Sequence, residues 1–114
     1  MQQITYAISI RQPYVELILQ GKKIKEFRIR RTLIRGRVYL YASKTPKDDP
    51  SAWRKSEKLP GSLATGEIVG TVDIVGCGQT PDGGYGYKLA NPRRLRQHLH
   101  PTNQPLPSFW IPQF

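Results

Sequence analysis

The sequence has few residues that can form covalent or metal cross-links: one cysteine, Cys77, and two histidines, His98 and His100. A single cysteine excludes an intramolecular disulfide and a cysteine-based zinc site. Glycines flank Cys77 and no base lies beside it in the sequence, so it is a poor candidate for a nucleophile. We therefore expect no metal site and no cofactor.

The sequence also lacks any apolar run near the roughly 20 residues that a membrane-spanning helix needs. Its first residues, 1–6, have neither the basic start nor the long apolar core of a signal peptide. We therefore expect no membrane partner and a cytoplasmic location.

Acidic residues are scarce, because eight Asp and Glu stand against 18 Lys and Arg, which gives a formal net charge of +10. A strongly basic chain attracts polyanions and gains affinity when their counterions are released. Nucleic acid, either RNA or DNA, is thus the first candidate partner. A basic chain that is merely well solvated is the alternative.

The length of 114 residues fits one domain, 1–114, which we expect to be monomeric. A helix over 14–19 follows Pro13 at its first position, and Gly21 supplies a left-handed cap. Residues 45–65 read as a long surface loop with one helical turn at 50–56. Alternating apolar residues predict short strands at 4–10, 24–31, 37–42, 66–75, 86–90 and 109–111. The pattern predicts a mostly β (α+β) fold: a small mixed or antiparallel β-barrel with one or two short helices.

The segment 21–31 places one acid among several cations. A period of two puts Glu26, Arg28 and Arg30 on one face of the strand and Phe27 and Ile29 on the other. We expect Phe27 and Ile29 to be in the core and the charged row to face a ligand. A structural ion pair between Glu26 and a neighbouring arginine is the alternative.

Other candidate ligand contacts lie at the ends of predicted strands. Arg11 and Gln12 fall between a strand and a helix N-terminus, where an anion is favoured, although Gln12 also suits a helix cap. Ser43 and Lys44 end the central strand. We read Asn91-Pro92 as a turn before a basic segment at 93–96.

Arginines concentrate in two stretches, and guanidinium groups both pair with phosphate and stack on bases. The stretches are Arg28, Arg30, Arg31, Arg35 and Arg37, and Arg93, Arg94 and Arg96. This favours a backbone-binding stripe suited to RNA, with a solvated face as the alternative. Of the aromatic residues, Tyr14 and Trp53, the latter in its polar loop, are candidates to stack on a base and Trp110 is a weaker one, whereas Tyr41 is expected to be packed inside.

Four motifs together resemble the ASCH domain (activating signal cointegrator homology), a branch of the PUA-like superfamily. They are Ser9-Ile10-Arg11-Gln12-Pro13-Tyr14, Gly21-x-Lys23-x-x-Glu26-x-Arg28, Tyr41-Ala42-Ser43-Lys44 and Asn91-Pro92-Arg93. The resemblance implies a PUA-like barrel whose cleft is lined by the second motif, in a family generally held to bind RNA or DNA. Some bacterial members hydrolyse N4-acetylcytidine with a Lys and a Thr three residues later, but here Glu26 follows Lys23 at that spacing.

The leading hypothesis is a module that binds RNA or another single-stranded nucleic acid in this basic cleft. The alternative is a small hydrolase or ribonuclease that uses Lys23 and Glu26 as its catalytic pair, although nearby cations weaken a carboxylate as a base. A protein-interaction module built around Trp53 is a third possibility. The predicted nucleic-acid-binding residues are Arg11, Gln12, Lys23, Glu26, Arg28, Arg30, Ser43, Lys44, Trp53 and Arg93.

Overall fold

The computed structural model describes residues 3–114, and Met1 and Gln2 of the predicted domain lie outside the described residues. The strands are β1 (Ala7–Ile10), β2 (Lys25–Arg28), β3 (Gly36–Ala42), β4 (Glu67–Gln79), β5 (Tyr85–Leu99) and β6 (Phe109–Trp110). The helices are α1 (Tyr14–Leu19) and α2 (Pro50–Ser56). The predicted mostly β fold with one or two short helices is confirmed.

All six strands lie in one sheet with the order β2-β5-β4-β3-β1-β6, which curls into a half-barrel. β1 runs parallel to β3, and the other neighbouring strands are antiparallel. The sheet is therefore mixed. The parallel pair matters for the site, because β1 and β3 end side by side at the same edge.

The larger apolar core lies on one face of this sheet, and a smaller buried cluster that includes Tyr41 and Trp110 lies on the other. Ile8, Leu40 and Val72 are buried on the three central strands, and Ile18 of α1 covers them. The alternating apolar residues of the first predicted strand indicated Ile8, whereas 37–42 and 66–75 were predicted only as strands. Tyr41 is buried as expected, and its ring packs edge-to-face on Trp110 with 5.3 Å between centroids.

The end of α1 is fixed by the predicted glycine. Gly21 has a φ of +76°, and its N–H donates to the carbonyl of Ile18 at 3.0 Å while the Lys22 N–H donates to that of Leu17 at 2.9 Å. These two bonds form a Schellman cap. The cap turns the chain directly from α1 into β2 and so positions Lys23 beside the sheet.

The prediction that Phe27 and Ile29 are core residues is wrong. Both side chains are exposed, at 61% and 89%, whereas Glu26 is only 8% exposed. β2 is an edge strand whose inner face borders a polar cleft and not the apolar core. Ion pairs and hydrogen bonds therefore hold the charged row inward, and the apolar row faces outward.

The predicted turn at Asn91-Pro92 and separate basic segment are also wrong, because β5 continues through them to Leu99. Asn91 adopts a φ of +53°, and the pairing with β4 shifts register nearby. β2 pairs only with residues 85–88 of β5, so the edge beyond is open and Pro92 needs no ladder donor there. No helix in residues 3–114 is long and apolar enough to cross a membrane.

Candidate nucleic-acid interface

A cleft opens where the parallel strands β1 and β3 end. Its volume is about 480 Å³, within the usual range for small-molecule sites. Arg11 follows β1 and Ser43 follows β3, so the two strand ends supply opposite parts of the wall. The lining residues are Ser9, Ile10, Arg11, Tyr14, Glu26, Arg28, Ser43, Lys44, Thr45, Lys47 and Pro107.

Glu26 provides the one carboxylate among these lining residues, and its side chain is nearly buried. The Arg28 Nε donates to Glu26 Oε2 at 2.8 Å, and the Lys23 Nζ lies 3.4 Å from Oε1. Each carboxylate oxygen thus faces one cation. This pairing offsets the cost of burying the charge and leaves acceptor capacity on both oxygens.

Arg28 is a fixed part of the cleft wall. Besides Glu26, its guanidinium donates to the carbonyl of Ser9 at 2.7 Å and to that of Pro107 at 3.2 Å. These bonds tie the edge strand β2 to β1 and to the C-terminal segment. Three of its five N–H donors are used in this way, so two remain for a ligand.

Lysines at the rim supply free positive charge. Lys44 and Lys47 are exposed, and their ammonium groups make no ion pair or hydrogen bond within residues 3–114. Arg11 holds the loop that carries them, because its guanidinium donates to the carbonyls of Thr45 and Pro46, both at 2.9 Å. The rim is thus a basic loop anchored by an arginine.

Tyr14 of α1 forms another side of the cleft. Its hydroxyl donates to Asp49 Oδ2 at 2.6 Å, which connects α1 to the start of α2. Burial, together with this bond to Asp49, raises the pKa of Tyr14 to about 12. The same bond lowers the pKa of Asp49. The tyrosine therefore stays protonated at physiological pH.

Gln12 caps helix α1, which is the alternative to the predicted ligand contact. It is buried, its Oε1 accepts from the Glu16 N–H at 3.1 Å, and its Nε2 donates to the Ala64 carbonyl at 3.1 Å. The Tyr14 N–H donates to the Arg11 carbonyl. These N–H groups of α1 are occupied, so they do not provide the predicted anion position.

Three further predicted site residues lie away from the cleft. Arg30 is exposed beyond the end of β2, and Arg93 is exposed on β5 opposite Thr71. Trp53 is buried in α2, where its Nε1 donates to the Lys47 carbonyl at 3.0 Å. Trp53 lies within the helical turn predicted at 50–56 but is only 7% exposed, so it is not the open stacking surface that was predicted.

The predicted arginine stripe is interrupted by internal pairs. Arg37 lies 3.1 Å from Asp73, and Arg94 binds both oxygens of the buried Glu16 at 2.7 and 2.6 Å. Arg35 donates to backbone carbonyls of its own loop. Several arginines counted as a binding surface thus stabilise the fold.

The structure brings together Arg11, Glu26, Arg28, Ser43 and Lys44 of the predicted set, and Lys23 contacts Glu26 from an adjoining groove. Sequence reasoning missed Lys47. It named Tyr14 as an aromatic that could stack on a base, but not as a wall residue whose hydroxyl is bound to Asp49. A signal for Lys47 existed, because it stands three residues after Lys44 in the same short basic loop.

Comparison with protein-family models gives one match. The model described as the ASCH domain matches residues 8–90, which is most of the chain. The chain belongs to the ASCH domain family. The matched range starts in β1 and ends within β5, so it includes every cleft residue except Pro107. A comparison with curated protein sequences found no match.

Proposed function

We propose that this ASCH domain binds RNA or another single-stranded nucleic acid and takes one nucleotide into the cleft. ASCH domains are generally regarded as nucleic-acid-binding members of the PUA-like superfamily. The observation that carries the proposal is a buried carboxylate, Glu26, beneath a rim of unpaired lysines. The buried carboxylate can accept hydrogen bonds from the N–H groups of a base, and the lysines at the entrance can pair with the negative charge of its phosphate.

The base is the part of the ligand that reaches Glu26. Exocyclic amines and ring N–H groups donate to carboxylates, and the ring N–H groups are free only when a base is unpaired. The cleft, with a volume of about 480 Å³, can hold the flat ring of one base but not a duplex. This supports single strands, or a base displaced from its stack, as the ligand.

The phosphates bind at the rim in this proposal. Lys44 and Lys47 have ammonium groups free to contact oxygens, and Arg11 keeps further N–H donors beside them. The cleft is built from one chain, which supports a monomer as the binding unit. The cytoplasmic location stays a prediction.

The double variant Lys44→Ala/Lys47→Ala tests this assignment. We expect weaker binding of a labelled single-stranded oligonucleotide and a salt dependence shallower by about 1.4 in slope, because two phosphate contacts are lost. The matched control is Lys55→Ala/Lys58→Ala, which removes the same charge outside the cleft. Equal losses in both double variants would contradict a cleft site and leave only general electrostatic attraction.

A hydrolase acting on an acylated nucleoside or on RNA is the second candidate. It is favoured by one observation, the Lys23 Nζ placed 3.4 Å from Glu26 Oε1 with both side chains largely buried. Incubation with N4-acetylcytidine and with labelled RNA, analysed for product, decides it. Turnover that disappears in Glu26→Gln supports an enzyme, and no turnover in the unmodified protein leaves the binding function.

A further inference from the structure

The outer face of β2 carries an exposed aromatic residue among cations. The Phe27 ring is exposed, Lys25 lies two residues before it on the same face, and Ile29 follows it. Contiguous exposed apolar residues often mark an interaction surface, whereas a single exposed apolar residue needs no explanation. Phe27 and Glu26 lie on opposite faces of β2, but the Lys23 Nζ that contacts Glu26 also lies 5.3 Å from the centroid of the Phe27 ring.

Glycines leave the sheet bare beside this ring. Phe27 pairs with Gly86 of β5, and Gly86 pairs with Gly78 of β4. A Cβ at Gly86 would meet the Phe27 ring at 3.5 Å, whereas one at Gly78 would meet no atom within 4 Å. Across the strands, this outer face therefore presents the Phe27 ring, then Gly86 beneath the ring, and then the exposed backbone at Gly78. We call the exposed backbone at Gly78 the floor, and a flat group can lie on it.

Lysines border this floor without acidic partners. Lys25 stands directly opposite Lys88, both are exposed, and neither forms an ion pair in the described part of the chain, residues 3–114. Like charges placed opposite each other destabilise a strand pair. The carboxylate in the groove on the other side of Phe27, that of Asp82, accepts from Thr80 and from the Gly84 N–H. An anion bound between the lysines would relieve their repulsion.

We propose that this outer face is a second single-strand nucleic-acid-binding surface, on which a base stacks on Phe27 above Gly78. Lys25 and Lys88 contact the flanking phosphates. Aromatic side chains exposed on a sheet among basic residues bind single strands in this way. The surface is separate from the cleft, although Arg28 lines both the cleft and the groove beside Phe27. The proposal shares with the proposed function only the class of ligand.

The test is the binding of a labelled 12-nucleotide single strand to variants that keep the net charge. Phe27→Ala should weaken binding about 5- to 100-fold without changing the salt slope, because stacking and not charge is lost. Phe27→Leu should lose about as much, and Phe27→Tyr should retain affinity because it keeps the ring. Thermal unfolding verifies that each exposed substitution leaves the fold intact.

A second variant blocks the floor and leaves the ring in place. Gly78→Val adds a side chain where the space is open and the backbone φ is not positive, so the fold accommodates it. We expect the same loss of oligonucleotide affinity as in Phe27→Ala. Lys25→Ala/Lys88→Ala should reduce the salt slope by about 1.4. The charge-matched control is Arg54→Ala/Lys58→Ala, because both residues are exposed and line a different groove from Lys25 and Phe27.

The two sites give separable results. If Lys44→Ala/Lys47→Ala weakens binding and the Phe27 and Gly78 variants do not, the outer surface is refuted and the proposed function stands. If only the outer-face variants matter, the cleft assignment fails and this surface stands. Equal affinity of Phe27→Leu and the unmodified protein, or self-association that depends on Phe27 in sedimentation, indicates an apolar protein contact and overturns the proposal.

Discussion

Glu26 is held in the cleft by two cations and is the residue best placed to select a base. Glu26→Gln keeps the size of the side chain but replaces one acceptor oxygen with a donor. We expect affinity for strands whose base donates to Glu26 to fall by about 1–3 kcal/mol, and preference among the four homopolymers to narrow. Fluorescence anisotropy with each homopolymer measures this.

The control for that variant is Glu57→Gln at the end of α2. The Glu57 side chain is exposed, and its substitution removes one negative charge outside the cleft. Unchanged base preference in Glu26→Gln, or equal changes in both variants, would contradict the assigned role.

Glu16 and Arg94 make a second prediction at the residue scale. The bidentate hydrogen bond from Arg94 lowers the pKa of Glu16, against the opposing effect of burial. A carboxyl whose pKa is lower in the folded state adds stability above its ordinary value of 4.5 and loses it as pH falls through the folded pKa. The pair therefore stabilises the fold at neutral pH.

We expect Arg94→Met to lower the free energy of unfolding at pH 7 by about 1 kcal/mol, a modest cost because Arg94 is 54% exposed. The difference from the unmodified protein should shrink as pH falls below 4.5. Urea unfolding at pH 7 and pH 3 measures both values. An equal difference at the two pH values would show that the pair does not carry this pH dependence.

The orientation of β2 shows the limit of sequence reasoning for single residues. Alternation sorted Glu26 from Phe27 correctly onto opposite faces, but it could not tell which face would be inside. Burial of apolar residues is the usual rule, and here the bonds of Arg28 to Ser9 and Pro107 override it. Those bonds join residues far apart in the sequence, where no local pattern shows them.

At the scale of elements, the Schellman cap of α1 sets the position of Lys23. Gly21→Ala places a Cβ on a backbone with a φ of +76°, although no atom lies within 4 Å of it. Strain alone should therefore lower the free energy of unfolding by about 1–2 kcal/mol. Thermal or urea denaturation measures the loss.

Gly78→Ala is the matched control, since that site is equally open but its φ is not positive. It should change stability little. A similar loss in both variants would contradict the assignment to the left-handed cap, because Gly→Ala at a position without positive φ otherwise stabilises the fold by lowering the entropy of the unfolded chain.

Elements with local signals were predictable, and elements that depend on partners were not. The helix before Gly21 and the helical turn at 50–56 were found, because caps and prolines mark them in the sequence. β5 was broken at Asn91-Pro92, where the sequence reads as a turn. The strand continues because β4 supplies a partner through shifted registers, a condition set only by the assembled sheet.

For the whole molecule, the net charge of +10 overstates the surface that can hold phosphate. Arg28, Arg37 and Arg94 are engaged with internal carboxylates. If the free cations of the cleft rim and the outer face make about three to five phosphate contacts, log K should fall with log salt with a slope of about −2 to −4. Titration between 50 and 300 mM salt measures it, and a slope beyond about −6 would require the arginine stripe after all.

The sequence predicted the family, the fold class and half of the cleft, because these depend on motifs and on strand ends. It could not separate binding cations from structural ones, since that division depends on which carboxylate each arginine reaches across the sheet. Arg93 and Arg94 are exposed neighbours, but Arg94 is bound to the carboxylate of Glu16 and Arg93 has no carboxylate partner within residues 3–114.

The most direct test of the central claim is a nuclear magnetic resonance titration of the ¹⁵N-labelled protein with a short single-stranded RNA. We predict that the largest backbone amide shifts occur at residues 43–45, at Lys47 and at residues 26–28, with a smaller set at Arg11 and Tyr14 around the same cleft. Shifts confined to α2 and the loop after it, or to residues 93–96, would contradict a nucleotide site built on Glu26.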